Sequence, residues 1–348
     1  MSVRAKEGTC LAALARMAVS ITQAAEKQCP RRGPGRPPVY KDWQIDAMIL
    51  IGVLARRKSK SAQYRFLADR RREVASWVGL ERFPSRGTFF ERYRSAHRLL
   101  EAAIRVQGRW AIREGLADAR TVAVDQSLIR ARGRLWHRRD RKRGHVPKGV
   151  DQDSTWGFSK HHGWVQGYSY EVVVTAAKKG PVLPLLASVD TASASEHVTF
   201  GPKIPHLPPE VRNVLTDAGY DSNEYGDRIE YDDDGRSTGR HFICPPNLRG
   251  KPGRSPPRTL AQRRRHKRKT FFGSPTGQRL HARRTPTAEP FNEWFKSLFE
   301  LSDRAWHRGL DNNRTQILAA LCCYQLLLRF NRRRGRHNGQ IQWILDTL

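Results

Sequence analysis

Apolar and polar positions follow two rhythms along the chain. From residue 42 to 116 the rhythm is helical. Trp43, Ala47, Leu50 and Leu54 recur every three to four residues and predict a first helix. The stretch "SAQYRFLADRRREVASWVGL" predicts a second, ending near Gly79. A third is expected to begin at about Thr88, because Thr88 and Glu91 have capping-box spacing. Its apolar stripe is Phe89, Tyr93, Ala96 and Leu100, and Arg92, Arg94 and Arg98 fall largely elsewhere. Two readings stand together here. One is a helix-turn-helix whose third helix, with Arg92, meets DNA in the major groove; the other is a plain helical bundle with a basic solvated face.

Beyond residue 117 the texture changes. "TVAVDQSLIRA" (121–131), "YSYEVVVTAA" (168–177), "VLPLLASVDTA" (182–192), "VRNVLTDAGY" (211–220) and "RHFICPP" are strand-like runs bounded by glycine, proline or charge. "SEHVTFGPKIPHL" and "NEYGDRIEY" supply helices between them. Three successive strands, then helix and strand, predict an α/β fold: a mixed sheet covered by helices. "AEPFNEWFKSLFEL" and "NNRTQILAALCCYQLLLRFNRRR" read as two closing helices. The run "ILAALCCYQLLL" (317–328) is shorter than the roughly 18 residues a membrane span needs, and fits a buried core helix.

Charge sharpens the picture. Lysine and arginine number 64 against 33 acids, a net charge of +31 over 348 residues. That excess points to a polyanion, DNA or RNA, rather than to solubility alone. Residues 1–41 read as a basic N-terminal arm and linker, and 333–348 as a basic C-terminal tail. Within the arm, "RRGPGRPPVY" (31–40) is either a solvated linker or a minor-groove arm in which Arg36 contacts DNA. Residues 249–285 are a basic insertion, either a charged loop or a phosphate-tracking arm. The five cysteines show no disulfide framework and no CxxC, so a reducing cytoplasm is expected, and no signal peptide is evident.

The chemistry lies in acids at costly places. Asp125 ends the apolar run "TVAV", and Asp217 ends "NVLT". Both are expected to project from neighbouring strand ends. Glu289 comes later, where a helix is expected to begin because Pro290 fits a first turn. Glu293, one turn on, is the alternative third ligand. Two unit charges about 4 Å apart repel by about 4 kcal/mol at an effective dielectric of 20, so converging carboxylates need a cation. Oxygen ligands select magnesium or manganese, and two such ions suit phosphodiester chemistry. Other acids read more plainly. Asp190 belongs to a turn, Asp221 is a supporting residue or helix cap, and Asp232, Asp233 and Asp234 precede Gly235 in a solvated hairpin. His161 and His162 read as surface residues.

The segments "VAVDQS", "GWVQGYSYEVVVTA", "VLPLLASVDTASASEHVTFGP", "VLTDAGYDS" and "EPFNEWFKSLFEL" resemble the DDE transposases of bacterial insertion sequences. The resemblance spans roughly residues 40 to 332. It implies a ribonuclease-H-like catalytic domain over 118–332, preceded by a helical DNA-binding region over 42–117. It also implies a catalytic, metal-binding triad of Asp125, Asp217 and Glu289 holding two Mg2+ or Mn2+ ions. The family's Tyr-Arg-Glu-Lys pattern carries over at Lys296, implied to contact DNA near the cut. Thr285 stands where that pattern has arginine; Arg284, one position off, is the arginine implied to contact DNA, and Ala282 stands where the pattern has tyrosine. The implied partners are terminal inverted repeats and target DNA, with no membrane. A homo-oligomer on DNA in the bacterial cytoplasm, near the nucleoid, is implied. The expected function is cleavage of element ends and strand transfer. The alternatives are a non-catalytic DNA-binding derivative and a nuclease of the same fold.

Overall fold

The strand-like runs assemble into one mixed sheet in the computed structural model, which describes residues 3–29, 38–159, 162–247, 259–336 and 339–348. Its strands are β1 (Thr121–Arg130), β2 (Thr155–Ser159), β3 (Gly163–Thr175), β4 (Pro184–Thr191), β5 (Asn213–Leu215) and β6 (His241–Ile243). The order is β2-β3-β1-β5-β6, with β4 also paired to β3. β1, β3 and β4 form an antiparallel meander, while β5 and β6 run parallel to β1. Valine-rich β3 is buried along nearly its whole length, as a central strand covered on both faces must be. β2, not foreseen from the sequence, has Gly157 at its centre and Phe158 exposed, so its pattern carries little strand signal.

Six helices precede the sheet: α1 (Val3–Glu26), α2 (Asp42–Leu54), α3 (Lys60–Asp69), α4 (Arg71–Val78), α5 (Arg86–Ser95) and α6 (His97–Arg113). The short α7 (Arg138–Lys142) and α8 (Glu196–Thr199) sit in loops. Then come α9 (Asn223–Glu230), α10 (Leu260–Gly273), α11 (Pro275–His281), α12 (Thr285–Leu298), α13 (Leu310–Arg333) and α14 (Gln342–Asp346). α13 is apolar on all sides because it is enclosed on all sides, by α2, α5, α6 and β4. One buried amide ties that packing together: Gln325 Nε2 donates to the carbonyls of Ile104 (3.0 Å) and Pro184 (2.6 Å). Cys322 and Cys323 are buried free thiols within it. Gly108 lets α6 close on β4, since a Cβ there would stand 3.2 Å from the Leu185 Cα.

Four expectations are corrected. Residues 3–26 are not an arm: α1 packs on α2 and α6 and buries Leu14, Ala18 and Ile21 completely. The helix expected at Thr88 begins at Arg86, because Ser85 caps it, its side chain accepting from the Thr88 N–H at 3.2 Å. Ala96 then ends α5, so the stripe through Leu100 belongs to two helices. The region 42–117 is not set apart from the sheet and the C-terminal helices, for α2, α5 and α6 share one core with α13 and the sheet. The C-terminal tail folds back, burying Ile341, Ile344 and Leu345. Arg36 and most of "RRGPGRPPVY" lie outside the described residues. No helix among the described residues is long and apolar enough to cross a membrane.

Candidate active site

Asp125 does not end its strand. It is the fifth residue of β1, paired with Val172 of β3. What ends is the neighbour. β5 pairs with β1 only from Thr121 opposite Asn213 to Ala123 opposite Leu215. Carrying that register two residues further aligns Asp125 with Asp217. The sheet therefore opens beside Asp125, and the chain leaving β5 presents Asp217 across the gap. Asp217 caps a 3-10 turn, Ala218–Tyr220, accepting from the Gly219 N–H at 2.8 Å.

One guanidinium joins the two acids. Arg284 Nη2 lies 2.5 Å from Asp125 Oδ1 and 3.5 Å from Asp217 Oδ2. Arg284 is buried at the head of α12, and among the described residues its Nε has no hydrogen-bond partner. The other oxygen of Asp125 accepts from Asn292 Nδ2 at 2.7 Å, and Asn292 Oδ1 accepts from the Tyr170 hydroxyl at 2.9 Å. β3 thus fixes the amide that fixes the carboxylate. Burial pushes the Asp125 carboxyl up to about 6; Arg284 opposes the rise, and the charges of Asp217 and Glu289 add to it.

Glu289 is brought to this field from α12, but not from the helix start. α12 begins at Thr285, four residues early, because Pro286 occupies its first turn. Pro290 is tolerated one turn in, where its missing N–H deletes a single bond to the Pro286 carbonyl. Glu289 and Glu293 are both exposed. Lys296 is buried, 7% exposed, with Nζ 3.9 Å from Glu293 Oε1. Burial lowers its pKa, while Glu293 and Asp125 raise it. Its ammonium thus lies in the fields of exposed Glu293 and of Asp125. Arg92 also turns inward. It pairs with Asp42 and donates to the Tyr40 carbonyl at 3.3 Å, tying α5 to the start of α2.

Three features here were not read from the sequence. Asn292 carries no sequence signal. Glu171 does, as a lone charge inside the apolar run of β3; it is buried and ion-paired to Lys203 at 2.7 Å. Glu196 lies near Asp217 and Asp125, and burial together with those charges raises its carboxyl to about 7. Asp221 supports the site from outside, accepting from Arg265 at 2.8 Å and from the Asn247 N–H at 2.9 Å.

The donors facing the gap are all oxygens, the chemistry a hard divalent ion requires. A cation already bridges two of them, in the form of Arg284. Among the described residues no three His, Cys, Asp or Glu side chains converge closely enough to hold a metal as they stand. Binding an ion between Asp125 and Asp217 therefore requires the guanidinium to move aside.

Comparison with known families adds one finding: a family model described as "Transposase DDE domain" matches residues 116–326. Searches of curated proteins and of solved structures found no match. The matched span runs from just before β1 into α13 and contains Asp125, Asp217, Arg284 and Glu289.

Proposed function

The chain belongs to the transposase DDE domain family, and on that premise we propose that it binds the ends of its element, hydrolyses a phosphodiester there to free a 3′-hydroxyl, and joins that hydroxyl to target DNA. The observation that carries this reading is the gap beside β5, where Asp125 and Asp217 stand in register and share one cation. Acids so placed repel each other and gain from any positive charge between them.

Asp125, Asp217 and Glu289 would hold two magnesium or manganese ions. When bound, such ions activate the attacking oxygen and stabilise charge on the phosphate and the leaving oxygen. The chain's own residues prepare the site. Asn292 and Tyr170 fix the orientation of Asp125. Arg284 neutralises the acids at rest and, once displaced, is a buried donor beside the scissile phosphate. Lys296 keeps the ion-free site from carrying its full negative charge. Substrate phosphates would be gripped by Arg263, Lys267 and Lys269, exposed on α10. Two further arginines of that helix are committed elsewhere, Arg265 on Asp221 and Arg268 on Asp227, each at 2.8 Å.

A strand-transfer assay separates this reading from a simple nuclease. Purified protein, Mn2+, a duplex of the element's end with a free 3′-hydroxyl and a supercoiled plasmid are incubated together. Covalent joining of the duplex to the plasmid is expected. Cleavage without joining would reduce the protein to a nuclease of the same fold.

A further inference from the structure

We infer that Glu196 is a fourth carboxylate of this site and joins Asp125 and Asp217 in holding the divalent cation; this rests on the reading of those two aspartates as ligands. Glu196 opens α8, the single helical turn after β4. Its carboxylate fills the space beside Gly219 where any other residue would carry a side chain. A Cβ at 219 would collide with Glu196 Oε2 and stand 2.9 Å from Asp217 Oδ1. The carboxylates of Glu196 and Asp217 therefore lie side by side over a glycine whose N–H binds Asp217.

A buried ion pair holds them there. Glu171 of β3 sits opposite Gln126, the residue after Asp125. Its Oε2 accepts from the Thr199 hydroxyl (2.6 Å) at the end of α8 and from the Tyr220 hydroxyl (2.9 Å) at the end of the Asp217 turn. Lys203 closes the arrangement, donating to Glu171 Oε1 (2.7 Å), Ser188 Oγ (2.5 Å) and the Thr199 carbonyl (2.6 Å). One glutamate thus anchors both acid-bearing segments to the strand beside Asp125. Such a network restrains position, because each of its members is satisfied only in this arrangement.

Glu196 itself is left unsatisfied. Among the described residues its carboxylate has no ion pair and accepts no hydrogen bond. A packing role would be filled better by glutamine or an apolar side chain, since a half-buried carboxylate beside Asp217 and Asp125 is repelled by both. A second group in the same site is also incompletely satisfied: Arg284, more than nine-tenths buried, has an Nε without a partner. Excess carboxylate without a counter-charge, next to a donor without an acceptor, fits a site built to take up a cation together with an anionic phosphate.

The test is Mn2+ binding to the full chain without DNA, monitored by loss of the free-ion electron paramagnetic resonance signal. Glu196→Gln keeps the shape and removes the charge, so a packing role predicts no change in affinity. The inference predicts that affinity falls about tenfold or more, while Glu224→Gln on exposed α9 binds as wild type. Circular dichroism checks that each variant is folded. If Asp125→Asn weakens binding and Glu196→Gln does not, the inference is overturned and the aspartate reading stands. If Asp125→Asn also binds as wild type, both fail.

Discussion

Arg284 occupies the position where the charges of Asp125 and Asp217 demand a cation. Its role was not legible in the sequence. It lies 159 residues from Asp125 along the chain and one position off the arginine of the family pattern. Asp125 and Asp217 were legible, because a carboxylate after an apolar run is costly unless something binds it. Asn292 was not, since a polar residue in an amphipathic helix is usually solvated. The bridging guanidinium makes a residue-scale prediction. Arg284→Ala leaves two carboxylates facing each other uncompensated, so its melting temperature should lie below wild type. Millimolar Mn2+ should raise that temperature more in the variant than in wild type, where the ion must first displace the guanidinium. Equal Mn2+ responses would mean that Arg284 does not stand in the ion's place.

At the scale of elements, period and length are legible in the sequence and boundaries much less so. α13 is plain because the run 317–328, apolar or aromatic but for Gln325, leaves no solvent face. α12 is recognisable, but Pro290 points to a start at Glu289 when Pro286 sets it at Thr285. The largest error concerns α1. Its residues are mildly apolar, and the arginines after it suggest an arm, yet α2 and α6 supply a surface that its alanines and leucines fill. Only the tertiary partner makes such a weakly amphipathic helix stable. Leu14 is fully buried there. Leu14→Ala should therefore cost about 2–5 kcal/mol in urea unfolding. A loss within error of zero would return residues 3–26 to the status of an arm.

For the molecule as a whole, the mixed α/β class followed from alternating strand and helix patterns, and the polyanion partner from a net charge of +31. A DNA-binding region and a catalytic region remain the proposed division of labour, within one continuous core. Both share α13, and sequence patterns report periodicity rather than which faces meet. The helices before β1 share one core with the sheet that carries the site. α10 packs on α9 and β6 and leaves Arg263, Lys267 and Lys269 exposed, at the end of the sheet order that carries β5 and Asp217. On the proposed reading, phosphate binding and phosphate chemistry fall to different residues of one frame: arginines and lysines hold, carboxylates cut. The most direct measurement of that division is Mn2+-dependent cleavage of element-end DNA by wild type, Asp125→Asn and Asp217→Asn, with DNA affinity measured in parallel. The account predicts that both variants bind the DNA within a few-fold of wild type and do not cut it. Cutting at near the wild-type rate by either variant would contradict it.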